Sequence, residues 1–156
     1  MIKNNLTAEW KNSQKITIEI DDPVMEEIVR YHVTLRAEMI DKMLYRAFSY
    51  SCPWIEKTEI FETESCGNCD SEIVTKGGSL ILYDRYNNQT CHILDLEGVL
   101  SGFYQAFAKF LILCMYTNER LVFSLSDTKT VDEIMQYAVF GEVRYPDRAN
   151  GGNNND

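Results

Sequence analysis

The stretch that most constrains this chain runs from Asp95 to Tyr116. Leu96, Val99, Leu100, Phe103, Phe107, Leu111 and Cys114 recur at three- and four-residue intervals, the spacing of one helical face. Asp95 stands where an N-cap belongs, because its carboxylate can accept from the free N–H groups of the first turn. Phe110, Leu113 and Met115 widen the apolar surface beyond one stripe. A helix of this kind must be central to the core or cover an interface.

The residues before it predict what it packs on. Ser79–Tyr83 and Thr90–Leu94 read as strands, joined by an Asp-Arg-Tyr-Asn-Asn turn whose asparagines tolerate left-handed geometry. Ile16, Ile18 and Ile20 alternate with polar residues, the period of a half-buried strand, and Trp54–Glu62 alternates similarly. Asp21-Asp22-Pro23 is a turn or helix start, with a short helix expected over Val24–Arg30 and extended chain over His32–Leu35. A firmer helix is expected from Arg36 to Tyr50, with Met39, Ile40, Met43, Ala47 and Phe48 on its apolar side and Cys52-Pro53 ending it. Thr63–Lys76 reads as a long loop and Leu121–Leu125 as a short strand. Thr130-Val131-Asp132-Glu133 reads as a capping box opening a helix that turns Val131, Ile134, Met135 and Ala138 inward and ends at Gly141. The prediction is an α+β fold: a small antiparallel sheet of about three to five strands on about three helices, in one domain. Residues 1–14 are expected to form a loose arm, 15–146 the domain, and 147–156 a disordered tail.

Composition fits that picture. Hydrophobic residues make up 45% of 156, enough for a core without a disulfide or metal staple. Lys3, Glu9, Trp10 and Lys11 interrupt the first apolar residues, so no signal peptide is read, and the apolar run Phe110–Tyr116 is far shorter than a membrane span. Five cysteines is an odd number and suggests reduced thiols. A cytoplasmic protein is the expectation.

The net charge of −9 disfavours nucleic acid and anionic membranes as partners. That charge is unevenly placed: residues 19–72 hold thirteen carboxylates against five basic side chains, leaving the remainder nearly neutral. A solvated face explains this, and so does an acidic surface shaped for a basic partner. Nine tyrosines, seven phenylalanines and two tryptophans exceed what so small a core needs, and tyrosine-rich surface is typical of protein interfaces. The candidate contact residues are Asp21, Asp22, Glu26, Glu27, Glu56, Glu59, Glu62 and Glu64, with Tyr31, Tyr50 and Trp54 as anchors.

No motif points to catalysis. Two histidines, His32 and His92, are too few for a general-base argument, and Gly77-Gly78 lacks the lysine of a phosphate loop. Cys66 and Cys69 have metal-ligand spacing, but a tetrahedral zinc site needs two more ligands and no second pair is present. The expectation is a protein that is not an enzyme and needs no cofactor. Two alternatives stay open. One is a zinc-binding protein; the other is an oligomer that sequesters a nucleotide through cations such as Arg46, Lys76, Arg85 or Arg144.

Three segments carry a resemblance. Met39–Phe48, the Gly77-Gly78-Ser79-Leu80-Ile81-Leu82-Tyr83-Asp84 strand, and Asp132-Glu133-Ile134-Met135-Gln136-Tyr137-Ala138-Val139-Phe140-Gly141-Glu142 through Tyr145 resemble a family of small acidic uncharacterised proteins encoded by phages, prophages and other mobile elements. The chain departs from that pattern at Ser49-Tyr50-Ser51, where the family has Glu-Gly-Gly. The resemblance implies an accessory protein that binds and inhibits a host defence or nucleic-acid-handling protein with a basic surface, in the cytoplasm of a bacterial host. It leaves a homodimer open.

Overall fold

A computed structural model describes residues 6–22, 24–63 and 69–146. It is an α+β domain, as the patterns predict, but its five strands form two antiparallel sheets rather than one. Helix α1 (Leu6–Ser13) leads into strand β1 (Lys15–Asp22), which pairs with β2 (Glu27–Thr34). Helix α2 (Ala37–Arg46) continues into a wider π-helical turn, Ala47–Ser51. Strand β3 (Ile55–Glu62), the single turn α3 (Asp70–Ile73), β4 (Ser79–Asp84) and β5 (Thr90–Leu94) follow, and β3-β4-β5 make the second sheet. Helices α4 (Leu96–Tyr116) and α5 (Thr128–Phe140) pack against one another and complete the fold.

Several expectations hold in detail. The β4–β5 hairpin has the predicted strands, Leu80 opposing Leu94 and Asp84 opposing Thr90. Asp95 caps α4 by accepting from the Gly98 N–H at 2.8 Å. Gly141 ends α5 in the left-handed region, φ 73°, its N–H donating to Tyr137 O as a C-terminal glycine should. Val131, Ile134 and Met135 are fully buried.

Others are corrected. The segment expected as a loose arm is helical from Leu6, and Leu6 and Trp10, one turn apart, are buried; the Trp10 indole N–H donates to Leu35 O. Val24–Arg30 is not a helix. The Asp22 carboxylate accepts from the Val24 and Met25 N–H groups at 2.9 and 3.2 Å, Glu26 adopts φ 55°, and the chain doubles back as β2. Of the two readings of Asp21-Asp22-Pro23, turn or helix start, the turn holds, as an Asx turn. Within Thr63–Lys76, α3 and Val74 fold back so that Ile73 and Val74 are buried. Among the described residues Leu121–Leu125 pairs with no strand and instead lays Phe123 against Phe103, Phe107 and Phe110. Helix α5 starts two residues before Thr130: Asp127 is the cap, accepting from the Thr130 N–H and hydroxyl at 2.9 Å each. The apolar run Phe110–Tyr116 also understated α4, which by length and composition could cross a membrane, although its first three turns are built into the core.

The α4–α5 contact is a close one. A Cβ on Gly102 would strike the Ile134 carbonyl and lie 2.8 Å from the Ala138 Cβ, so only glycine lets the two backbones approach this closely. Beside that contact sits a buried polar cluster. The Trp54 indole N–H donates to Asp132 Oδ1 and the Gln136 amide to Oδ2, both at 2.7 Å. The Gln136 Oε1 accepts from the Tyr145 N–H at 2.7 Å, and the Tyr145 hydroxyl donates to the buried Asp84 at 2.7 Å. This chain of bonds ties α5 and the segment after it to the start of β3 and the end of β4.

Candidate protein-binding surface

The predicted contact residues fall into four groups. Asp21, Asp22, Glu26 and Glu27 meet at the tip of the β1–β2 hairpin, where Asp21 opposes Ile28 and Asp22 opposes Glu27. Among the described residues none of the four is ion-paired; Asp22 instead holds the turn. With them stand Val24 and Met25 in the turn and Ile28 on β2 opposite Asp21, 77%, 65% and 49% exposed. Apolar side chains at a solvent-facing turn gain nothing from the fold and are free to be buried by something else.

Glu56, Glu59 and Glu62 lie on β3, an edge strand, and their surroundings differ. Glu56 is bonded by Arg85. Glu59 accepts from Lys57 at 3.1 Å and from the Tyr83 hydroxyl at 2.9 Å, and these two bonds hold its carboxyl below the usual carboxylate range. These acids are partly neutralised where they stand; Glu62 is exposed on the same edge. Glu64 and Cys66 lie outside the described residues.

The aromatic anchors separate. Trp54 is wholly buried in the polar cluster and cannot meet a partner, which corrects its assignment to a surface. Tyr31 is half-buried against the core, cross-strand from Ile18. Tyr50, 58% exposed, stands on the π-helical turn and lines a cleft of about 320 Å³ with Asp41, Lys42, Tyr45, Arg46 and Glu72. In that cleft Asp41 accepts from the Thr75 hydroxyl, yet partial burial pushes its carboxyl above the ordinary value.

Little in the described residues supports the other two readings. Cys69 is exposed with its Sγ 3.0 Å from the Ser71 hydroxyl, and no set of three His, Cys, Asp or Glu side chains converges among the described residues. The four cations named for a phosphate pocket are each engaged locally. Arg46 donates to Leu125 O, Lys76 lies 3.8 Å from Glu72, Arg85 bonds Glu56, and Arg144 bonds Glu142 while lying over the Phe140 ring. His92 packs edge-on against Phe140 at 5.1 Å, and burial holds its pKa below the usual histidine value.

Sequence reasoning missed a second exposed surface only in its extent. The last turns of α4 project beyond the core, leaving Ile112, Leu113, Met115 and Tyr116 39–62% exposed, with Val122 beside them at 64%. The excess of apolar residues at Phe110, Leu113 and Met115 was its signal. Comparison of the chain with protein-family models, with curated proteins and with solved structures finds no match.

Proposed function

We propose that this chain is an accessory protein of a phage or mobile element that binds a host protein carrying a basic surface and inhibits it, a defence or nucleic-acid-handling factor. The contact is made by the tip of the β1–β2 hairpin. The observation that carries this reading is the tip's make-up: four carboxylates without ion partners among the described residues share the end of one hairpin with three exposed apolar side chains. Apolar side chains at the centre of a contact supply most of the binding energy, and a charged rim supplies steering and selectivity. Glu56 and Glu59, already engaged by Arg85, Tyr83 and Lys57, add to the negative field without being free to pair as readily, and Glu62 adds to it from the same edge. The setting comes from the three resembling segments, not from the tip.

The test is a paired capture from host lysate with the wild-type chain and an Asp21→Lys, Glu26→Lys, Glu27→Lys variant as baits. Asp22 is left intact because it holds the turn. The reading expects a protein retained by the wild type at low salt, released as screening shortens the range of the charges, and absent from the variant. Identical captures by both baits would remove the tip from the account.

A further inference from the structure

We infer that the projecting end of α4 is a homodimer interface and that its occupant is a second copy of this chain, with the two helices packed around a twofold axis. The argument starts from charge. Between Gly98 and Phe140 the exposed or half-exposed charged residues are Lys109, Arg120 and Lys129 against Glu119, Asp127 and Glu133, a sum of zero, since Asp132 is buried. The chain as a whole carries −9. A twofold interface brings each patch against itself, so a strong net charge on it would repel; the grooves of this face carry Lys109, Arg120 and Lys129 against Asp127 and Glu133, close to neutral on a strongly negative molecule. Lys109 also lies 3.9 Å from Glu133, which offsets the one charge on the helical ridge itself.

Shape agrees with self-packing. Lys109 and Leu113, one helical turn apart, form a ridge with a groove on either side. One groove, about 420 Å³, is bounded by Tyr104, Ala108, Ile112 and Tyr137; the other, about 440 Å³, by Phe110, Val122 and Phe123. A ridge of residues four apart, flanked by grooves, is the surface that another such helix fits. The exposed side chains are large and apolar, with Ile112 43%, Leu113 46% and Tyr116 62% exposed, and two copies would cover them together. A membrane is the poorer occupant, because withdrawing α4 into a bilayer would strip Leu100, Phe103 and Gly102 from α5 and the core. The inference uses a surface separate from the hairpin tip, so either can fail without the other.

Sedimentation equilibrium of the purified full chain from about 1 to about 100 µM tests it, because a reversible dimer changes its apparent mass with concentration. The expected result is a mass rising from one chain to two and stopping there. An Ile112→Lys, Leu113→Glu variant and a separate Tyr116→Lys variant should both remain at one chain; if the first does not fold, the second decides. Met25→Lys, at the hairpin tip, should still reach two. A wild type that stays at one chain throughout overturns the inference. So does a mass that climbs past two, the signature of head-to-tail packing, a dimer that survives the α4 substitutions, or one lost with Met25→Lys.

Discussion

Replacing Trp54 with phenylalanine removes one hydrogen-bond donor from the centre of the fold and leaves an aromatic ring to fill most of the space. The indole N–H is bonded to Asp132 Oδ1 at 2.7 Å, with the tryptophan wholly buried and Asp132 nearly so. A buried bond to a charged acceptor contributes about 1.5–3 kcal/mol, and the carboxylate left behind stays buried with one donor fewer. For a chain of this length that loss lowers the melting temperature by about 4–10 °C. The dependence on pH is the sharper part. Burial raises the Asp132 pKa in the fold, and the Trp54 bond is the first of the contacts that oppose the rise. Without Trp54 the folded value climbs further from the unfolded one. A group whose folded pKa is raised contributes stability that is present below its unfolded value and lost as pH rises through the folded value. The deficit of the variant is therefore full near neutral pH and shrinks on acidification towards the unfolded aspartate value of about 4. Urea unfolding of both proteins at about pH 7 and about pH 3.5, followed by tryptophan fluorescence, which Trp10 alone supplies in the variant, measures the difference at each. Comparing the two proteins at the same pH cancels every group that titrates alike in both. Equal deficits at the two pH values, or a deficit under about 0.5 kcal/mol at neutral pH, would refute the reasoning.

Two further substitutions probe the helices. Gly102→Ala places a methyl group against the Ile134 carbonyl and 2.7 Å from the Ala138 N, forcing α4 and α5 apart; urea unfolding should show a loss at the upper end of the roughly 1–3 kcal/mol range for overpacking, or more. Asp127→Ala removes the cap of α5 and should cost about 1 kcal/mol in the same assay, whereas Asp127→Asn, which keeps an acceptor oxygen, should cost much less.

What the sequence made legible follows from how local each determinant is. The β4–β5 hairpin, the Asp95 cap and the Gly141 stop are each decided by a handful of neighbouring residues, and each stands where the patterns place it. The β1–β2 turn is local too, but Asp22-Pro23 opens a helix as readily as an Asx turn. What decided between them was the pairing of Ile16, Ile18 and Ile20 with β2 strand residues, which gives Val24–Arg30 no helical partner. Trp54 reads as a surface anchor in isolation because the carboxylate that buries it is 78 residues away. The candidate site was half legible. Charge counting located Asp21, Asp22, Glu26 and Glu27, but not the difference between these free acids and Glu56 and Glu59, whose partners Arg85 and Tyr83 come from β4 and the turn after it. The helical α1 was signalled by Leu6 and Trp10 at one-turn spacing, yet an eight-residue helix is too short to announce itself without the core it packs on.

The claim that the hairpin tip is a binding surface is tested most directly by the affinity of the captured host protein for the wild type and for an Asp21→Asn, Glu26→Gln, Glu27→Gln variant, titrated from about 50 to about 500 mM salt. These substitutions remove charge while leaving side-chain size and the Asp22 turn unchanged. The account predicts binding at least about tenfold weaker for the variant at low salt, with a shallower salt dependence, since fewer charges are left to screen. Equal affinities and equal salt slopes would contradict it.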